Sequence, residues 1–375
     1  ITIVAALLSA SMLHAGQYSW QEPHAKVLST GDIEWAPKAF VFERGESVRY
    51  IDFERGDDGN DGQTKRTPWR HHPWDANAMA NAKACKGTHT YVFKAGVVYR
   101  GALRASEPGR PGHPIRLTRD PSWGEGAAVL CGSEKVNGWK KGTDHPDIPD
   151  PGKVWWVDLD FAPRCVWTVG KDGQIARIPL ARTPNWKVSD PDDVKSEWWH
   201  WDYKGTKPFD VFTTKGERKL HLGVDTVHLT KSADQYQDAI VWTEHGWVAG
   251  APYPVRVESV DTARKGVGFG GRWGGAGSYK IVKFCRYYLE DKPHYLDDPD
   301  GEFWFRKQGK GGRLYLRLPG DADPNSVHLE VARHLNLIDS KAMSHVHITG
   351  LTFRFTNVHW SLDGVPYRQG EDLDT

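Results

Sequence analysis

The chain has 375 residues, a formal charge of +1 at neutral pH, 39 Gly, 23 Pro and 18 Trp. That length suits one large β domain or two medium ones, and the Gly and Pro content implies many turns. A near-zero net charge gives no reason to expect nucleic acid or an anionic membrane as partner. Beyond the N-terminal stretch, no run of about 18 or more apolar residues is present to span a bilayer. The Trp count stands out. Most indoles serve in cores, but a flat ring also stacks on the apolar C–H face of a sugar.

Residues 1–15 run from Ile1 through an apolar stretch to Leu13-His14-Ala15, with Gly16 following. They read as the hydrophobic part of a secretory signal peptide lacking its basic beginning, so the expected location is secreted, extracellular or periplasmic. A buried apolar helix is the competing reading.

Residues 16–135 read as a leader, a cap and the first coils of a strand solenoid. Arg49-Tyr-Ile-Asp-Phe53 enters the polar turn Gly56-Asp-Asp-Gly-Asn-Asp-Gly62. Tyr91 to Tyr99, Pro114 to Thr118 and Ala127 to Leu130 are short apolar strands broken by Gly or Pro, as expected where each coil buries its apolar face on the next. The Ala-rich stretch Asp75 to Lys86 predicts a helix, with Asp75 as N-cap and Gly87 as the stop. Such a helix would cover the first coil's open end.

Residues 136–333 change character. The stretch 136–153 holds Pro146, Pro149, Pro151 and Gly152 and reads as a linker. Strands are then expected at Val154–Leu159, Gln174–Leu180, Leu220–Val224, Ala239–Thr243, Val255–Val260, Tyr279–Phe284 and Arg313–Leu318. Their alternation suits an inserted β-sandwich with one wet face. The seven glycines between Gly266 and Gly277 predict a mobile loop, without the strand–turn–helix setting of a phosphate cradle. In residues 334–375 the short-strand style returns, most clearly in His347-Ile-Thr-Gly-Leu-Thr-Phe353, and truncation is expected at both ends, with the start of the signal missing before Ile1 and further coils following Thr375.

Together these stretches resemble right-handed parallel β-helix proteins of the carbohydrate-active kind. The nearest likeness is to secreted β-helix glycoside hydrolases of the β-xylosidase and α-fucosidase/xylan-degrading type. The matching pieces are Gly56–Gly62, Gly96–Tyr99, Leu180–Trp186, Tyr288–Asp291, Leu296-Asp297 with Asp300–Trp304, Leu314–Leu316 and His347–Phe353. The resemblance implies an all-β fold with a β-sandwich set between early and later coils, and hydrolysis of a plant or algal polysaccharide or oligosaccharide by two carboxyl groups. Its catalytic acids would come from later coils.

The acids in the resumed solenoid single out Asp363, Glu371 and Asp372 as catalytic candidates, because Trp360 and Tyr367-Arg368 lie beside them and an apolar neighbour raises a carboxyl pKa. Trp186, Trp198, Trp199 and Trp201, with Trp360, Tyr367 and Arg368, are the substrate-binding candidates. Asp297, Asp298, Asp300 and Glu302 read as an acidic framework turn. Asp57, Asp58, Asn60 and Asp61 have hard oxygens suited to calcium, but the loop pattern is incomplete and Asx-turns explain the same residues. His71-His72 and the pair His345 and His347 lack a third ligand, so no metal and no cofactor is expected. Cys85, Cys131, Cys165 and Cys285 fit no zinc spacing and allow disulfides or buried thiols. A polysaccharide lyase is the alternative, with Arg100, Arg104, Arg116 and Arg119 lining an anionic groove. A non-catalytic glycan-binding surface protein is the third reading.

Overall fold

The computed structural model describes residues 25–35, 39–187, 196–202, 209–213, 216–245, 248–269, 285–340 and 343–358. The protein is all-β. Among the described residues the α-helix is limited to Ala80–Ala84, with a few 3-10 turns. No helix there is long and apolar enough to cross a membrane.

Three parallel ladders organise the first part. Val48–Ile51, Thr90–Phe93, Ile115–Thr118 and Val346–Ile348 form one. Val98–Arg100, Ala128–Cys131 and Leu351–Arg354 form the second. Leu103–Ala105 and Ile338–Ser340 form the third. Thr90–Phe93 and Ala128–Cys131 are buried at every position, as strands covered on both faces must be. Ile51, Tyr91, Phe93, Leu103, Ile115, Leu117 and Leu130 pack into one core against these ladders. Gly350 joins two strands of the last pass at φ +66°, and a Cβ there would meet the Phe40 ring at 2.5 Å.

Between Cys131 and Ile338 the sheets are antiparallel. Lys140–Lys141, Trp155–Leu159, Gly311–Arg317 and Glu302–Gln308 form one four-stranded sheet, and Ile175–Ile178, Val166–Val169, Leu329–Ala332 and Ser133–Lys135 another. The largest sheet is built from Arg182–Thr183, Trp199–His200, Phe209–Thr213, Gly216–Val224, Ile240–His245, Val248–Asp261, Gly266–Phe269 and Arg286–Glu290. The sheet holding Trp155–Leu159 is covered on both sides. Trp304 and Tyr315 belong to the core shared with the largest sheet, while Phe303, Leu314 and Leu316 belong to a core with Val166, Ile178 and Val331.

The two parts are joined at Ser133–Lys135, which pairs with Leu329–Ala332. Beside this pairing Arg100 donates to both oxygens of Glu330, at 2.8 and 2.9 Å. Ser133 Oγ and His328 Nε2 lie 2.7 Å from the same carboxylate.

Several expectations need correction. The helix predicted over Asp75–Lys86 shrinks to Ala80–Ala84, and Met79, not Asp75, stands at its N-cap. The cause is tertiary. Asp58 Oδ2 accepts from Met79 N at 3.0 Å and Asp58 O from Ala82 N at 3.1 Å, so the 56–62 loop dictates the path of the chain. Asp75 instead closes a local turn on Asn77 N. Of the expected glycine loop, Gly266–Phe269 is a strand in which Val267 and Phe269 are fully buried. The linker stretch puts Lys140–Lys141 into a sheet and buries Trp139. All four cysteines are free thiols. The signal segment and the strand expected at Tyr279–Phe284 lie outside the described residues.

Candidate functional site

Strand Arg286–Glu290 reads Arg-Tyr-Tyr-Leu-Glu, and its side chains alternate between two faces of the largest sheet. Tyr287 and Leu289 enter the core and are fully buried. Tyr288 and Glu290 take the opposite face. Cross-strand partners share a face, so the register Trp242↔Tyr288 on one side and Arg182↔Glu290 on the other gathers Arg182, Trp242, Tyr288 and Glu290 together.

The geometry within this group is tight. Trp242 Nε1 donates to Glu290 Oε1 at 2.6 Å. The Trp242 and Tyr288 rings are parallel within 5°, 6.0 Å apart. Connecting segments add Trp186, 5.4 Å from Tyr288, and Trp198, 4.6 Å from it. The Arg182 guanidinium sits 4.1 Å over the Trp186 ring and donates through Nη2 to Trp186 O.

A second carboxyl group arrives from another sheet. Ala181 N donates to Phe303 O at 2.7 Å, which lays the start of strand Glu302–Gln308 along residues 180–182. Glu302, fully buried, accepts from Arg182 N through Oε1 at 3.1 Å and from Asp298 N through Oε2 at 3.3 Å. Asn185 Nδ2 donates to Asp297 Oδ1 at 2.8 Å.

Burial pushes the Glu302 carboxyl up to about 9, against the two amides that favour its ionised form. Burial likewise pushes Glu290 up to about 7, opposed by the Trp242 hydrogen bond and by Arg182 and Arg177, and aided by Asp291. Burial also raises Asp297. At neutral pH Glu302 therefore holds its proton, and Glu290 is poised between its two forms. A carboxyl group with that affinity, partly open to solvent beside aromatic walls, can act as a proton donor near neutrality.

The indoles singled out in the sequence divide. Trp201 is 2% exposed, stacks on Tyr287 at 3.5 Å and donates to Thr243 Oγ1, which makes it a core residue. Trp199 lies on the core side, parallel to His228 at 4.4 Å. Trp198 and Trp186 reach the site, though Trp198 is buried within it. Asp363, Glu371, Asp372, Trp360, Tyr367 and Arg368 lie outside the described residues.

The acidic turn supplies more than framework, because its Glu302 enters the site while Asp298 caps Asp300 N. Arg182, Asn185, Trp242 and Glu290 carried no functional reading in the sequence. The one available signal was the alternation through Tyr288-Leu-Glu290, which sets two polar-tipped residues on one face.

Other candidates have local partners. Asp57 and Asp61 accept from Gly59 N and Gln63 N, and Asp58 from Arg70 N, His71 N and Met79 N. His72 is buried and held neutral, its pKa pushed down to about 3 by burial. Among the described residues no group of three or more His, Cys, Asp or Glu could hold a metal ion. Of the arginines considered for an anionic groove, Arg100 is bound to Glu330, Arg116 reaches Glu43 and Arg104 faces Asp339.

No family model and no curated protein matches the chain. A solved structure described as the complex structure of XylC with xylose is similar at 13% identity and a TM-score of 0.37, over 82% of this chain and 35% of that one. The chain thus spans about a third of the length of the structure it matches.

Proposed function

We propose that this protein acts on glycans, as a secreted glycoside hydrolase. The single observation that carries the reading is Glu290. Its carboxyl group is held by the Trp242 indole and stands among Trp186, Trp198, Tyr288 and Arg182 on the outer face of the largest sheet, where burial pushes it up to about 7. Aromatic walls with a few convergent polar groups are the usual dress of a sugar site. In this reading Glu290 protonates the glycosidic oxygen. Its partner in hydrolysis, which must stand about 5 to 9.5 Å away, is sought among Asp363, Glu371 and Asp372. Glu302, protonated and enclosed, positions Arg182 and takes no proton itself.

The proposed architecture is a right-handed parallel β-helix. The three parallel ladders are its faces, residues 136–333 are a sandwich inserted where the chain passes from the second face to the third, and residues 1–15 are a signal peptide. The support is the strand order, since successive passes of the chain feed the ladders in the same sequence.

The test is release of reducing ends from a panel of neutral plant and algal glycans. Cleavage is expected with a rate that falls as pH rises through about 7, because the acid works only when protonated. Glu290→Gln should lower it about 100-fold or more. Products that absorb in the ultraviolet would replace hydrolysis with elimination. Binding with no product would leave a glycan-binding module.

A further inference from the structure

Strand Ile240–His245 pairs with Arg286–Glu290 so that Trp242 stands opposite Tyr288 and Ile240 opposite Glu290. Trp242 and Glu290 are therefore diagonal neighbours on the sheet, a separation that long side chains span. The Trp242 ring runs parallel to Tyr288, which Trp186 and Trp198 also pack against. With the ring held in that plane, its Nε1 donates to Glu290 Oε1 at 2.6 Å. Glu290 is half-buried, and its Oε2 has no partner among the described residues and is not closed off from solvent. An indole N–H only donates, so the oxygen facing it must accept. In the protonated carboxyl group the oxygen that bears the hydrogen is the poorer acceptor. The proton is thereby directed to Oε2, the oxygen that a substrate can reach.

We propose that Trp242 is a positioning residue for Glu290, which fixes Oε1 as the acceptor and leaves Oε2 as the oxygen that gives up the proton. The proposal rests on the reading of Glu290 as the acid and specifies how that acid is aimed. The same bond favours the ionised carboxylate against the burial that opposes it. Other charges face the group from neighbouring elements. Arg182 and Arg177 favour ionisation, and Asp291, itself paired with Arg256, opposes it. Tyr288 stays neutral, because burial pushes its hydroxyl far up. All of these remain when the indole alone is changed.

The test follows the indole N–H signals of the full chain by proton–nitrogen NMR as pH is varied. One of the 18 is expected to move in a single step near pH 7, to lose that step in Glu290→Gln and to vanish in Trp242→Phe. Trp242→Phe keeps a ring beside Tyr288 but removes the donor. It should move the falling limb of glycan cleavage up by about one pH unit and lower kcat about tenfold, with KM nearly unchanged. If Trp242→Phe does not melt normally, Glu290→Gln decides alone, by whether any indole signal loses its step. If no glycan is cleaved while the signal behaves as expected, the hydrolase reading falls and the aiming of Glu290 stands. No indole step that Glu290→Gln removes, or a cleavage profile that a folded Trp242→Phe leaves unmoved, overturns the proposal.

Discussion

Glu302→Gln tests the electrostatics of the site through folding alone. The wild-type carboxyl group is fully buried, accepts Arg182 N and Asp298 N, and loses its proton only at about 9, against 4.5 for an ordinary Glu. Between those values the folded protein holds one more proton at this position than the unfolded chain. A raised pKa contributes stability fully present below the unfolded value and lost as pH rises toward the folded one. From about pH 6 to about pH 8 this group alone should cost the wild type roughly 3 kcal/mol. The glutamine has no proton to lose, so its stability is flat with respect to this position. It accepts through a single oxygen, and it should start about 1 kcal/mol less stable at acid pH. The two stabilities should therefore cross as pH rises. Glu290, Asp291 and Asp297 titrate in both proteins and cancel in the difference. Urea unfolding followed by Trp fluorescence at several pH values measures it. Parallel pH dependences in the two proteins would show that Glu302 is ionised when folded, and the account of the site's charge would fail.

Removing one partner of the buried Arg100–Glu330 pair, by Arg100→Met or Glu330→Gln, should cost about 3 to 5 kcal/mol in thermal unfolding. The double substitution to Met should recover part of it, and strictly additive losses would refute the pairing. Trp201→Ala empties a core position stacked on Tyr287 and should cost about 3 to 5 kcal/mol; a loss below about 1 kcal/mol would place the indole at the surface. Gly62 has φ +67°, and a Cβ there would lie 2.6 Å from the Trp69 ring, so Gly62→Ala should destabilise by about 1 to 3 kcal/mol, measured by the same melts. A neutral outcome would mean that the 56–62 loop can shift away from Trp69.

The fold was legible where burial leaves its own pattern. The runs Thr90–Phe93 and Ala128–Cys131 are continuous and apolar because both faces are covered, and His347 to Phe353 shows the strand–Gly–strand rhythm of a chain turning between ladders. The helix at Asp75 misled because Ala-rich propensity is weak against a single carboxylate. Asp58 takes amides from Arg70, His71 and Met79, and no local pattern announces those partners. The glycines at 266 and 268 looked like a loop. Their neighbours Val267 and Phe269 belong to a buried strand whose partners crowd the backbone. Much of the site was hidden for a different reason. Glu290 and Glu302 are ordinary acids in sequence. Only the meeting of strands 286–290, 240–245 and 302–308 with residues 180–186 strips their water and brings indoles to them. Trp186 and Trp198 were visible as unusual residues, whereas Trp199 and Trp201 share their composition but sit on the other side of the strand, which aromatic density alone does not distinguish.

The pairing of Ser133–Lys135 with Leu329–Ala332 has a further consequence for how this chain can be edited and made. It brings both ends of some two hundred residues to one hairpin-like neck, and Gly132 O receives Arg333 N and His334 N at its base. Beyond that neck the insert also meets the end of the last ladder pass, where Arg164 N donates to Asn357 Oδ1 and Trp167 lies 5.1 Å from Phe355. A chain in which a short turn joins Lys135 to Leu329 would lose the pairing of Val166–Val169 with Leu329–Ala332 and the contacts of Ala162 and Arg164 with Asn357, while leaving the residues of the Arg100–Glu330 pair in place. During synthesis the same neck sets an order of events. Ala128–Cys131 must wait for a partner strand made more than two hundred residues later, and a folded insert lowers the entropy cost of that pairing by holding the two ends together.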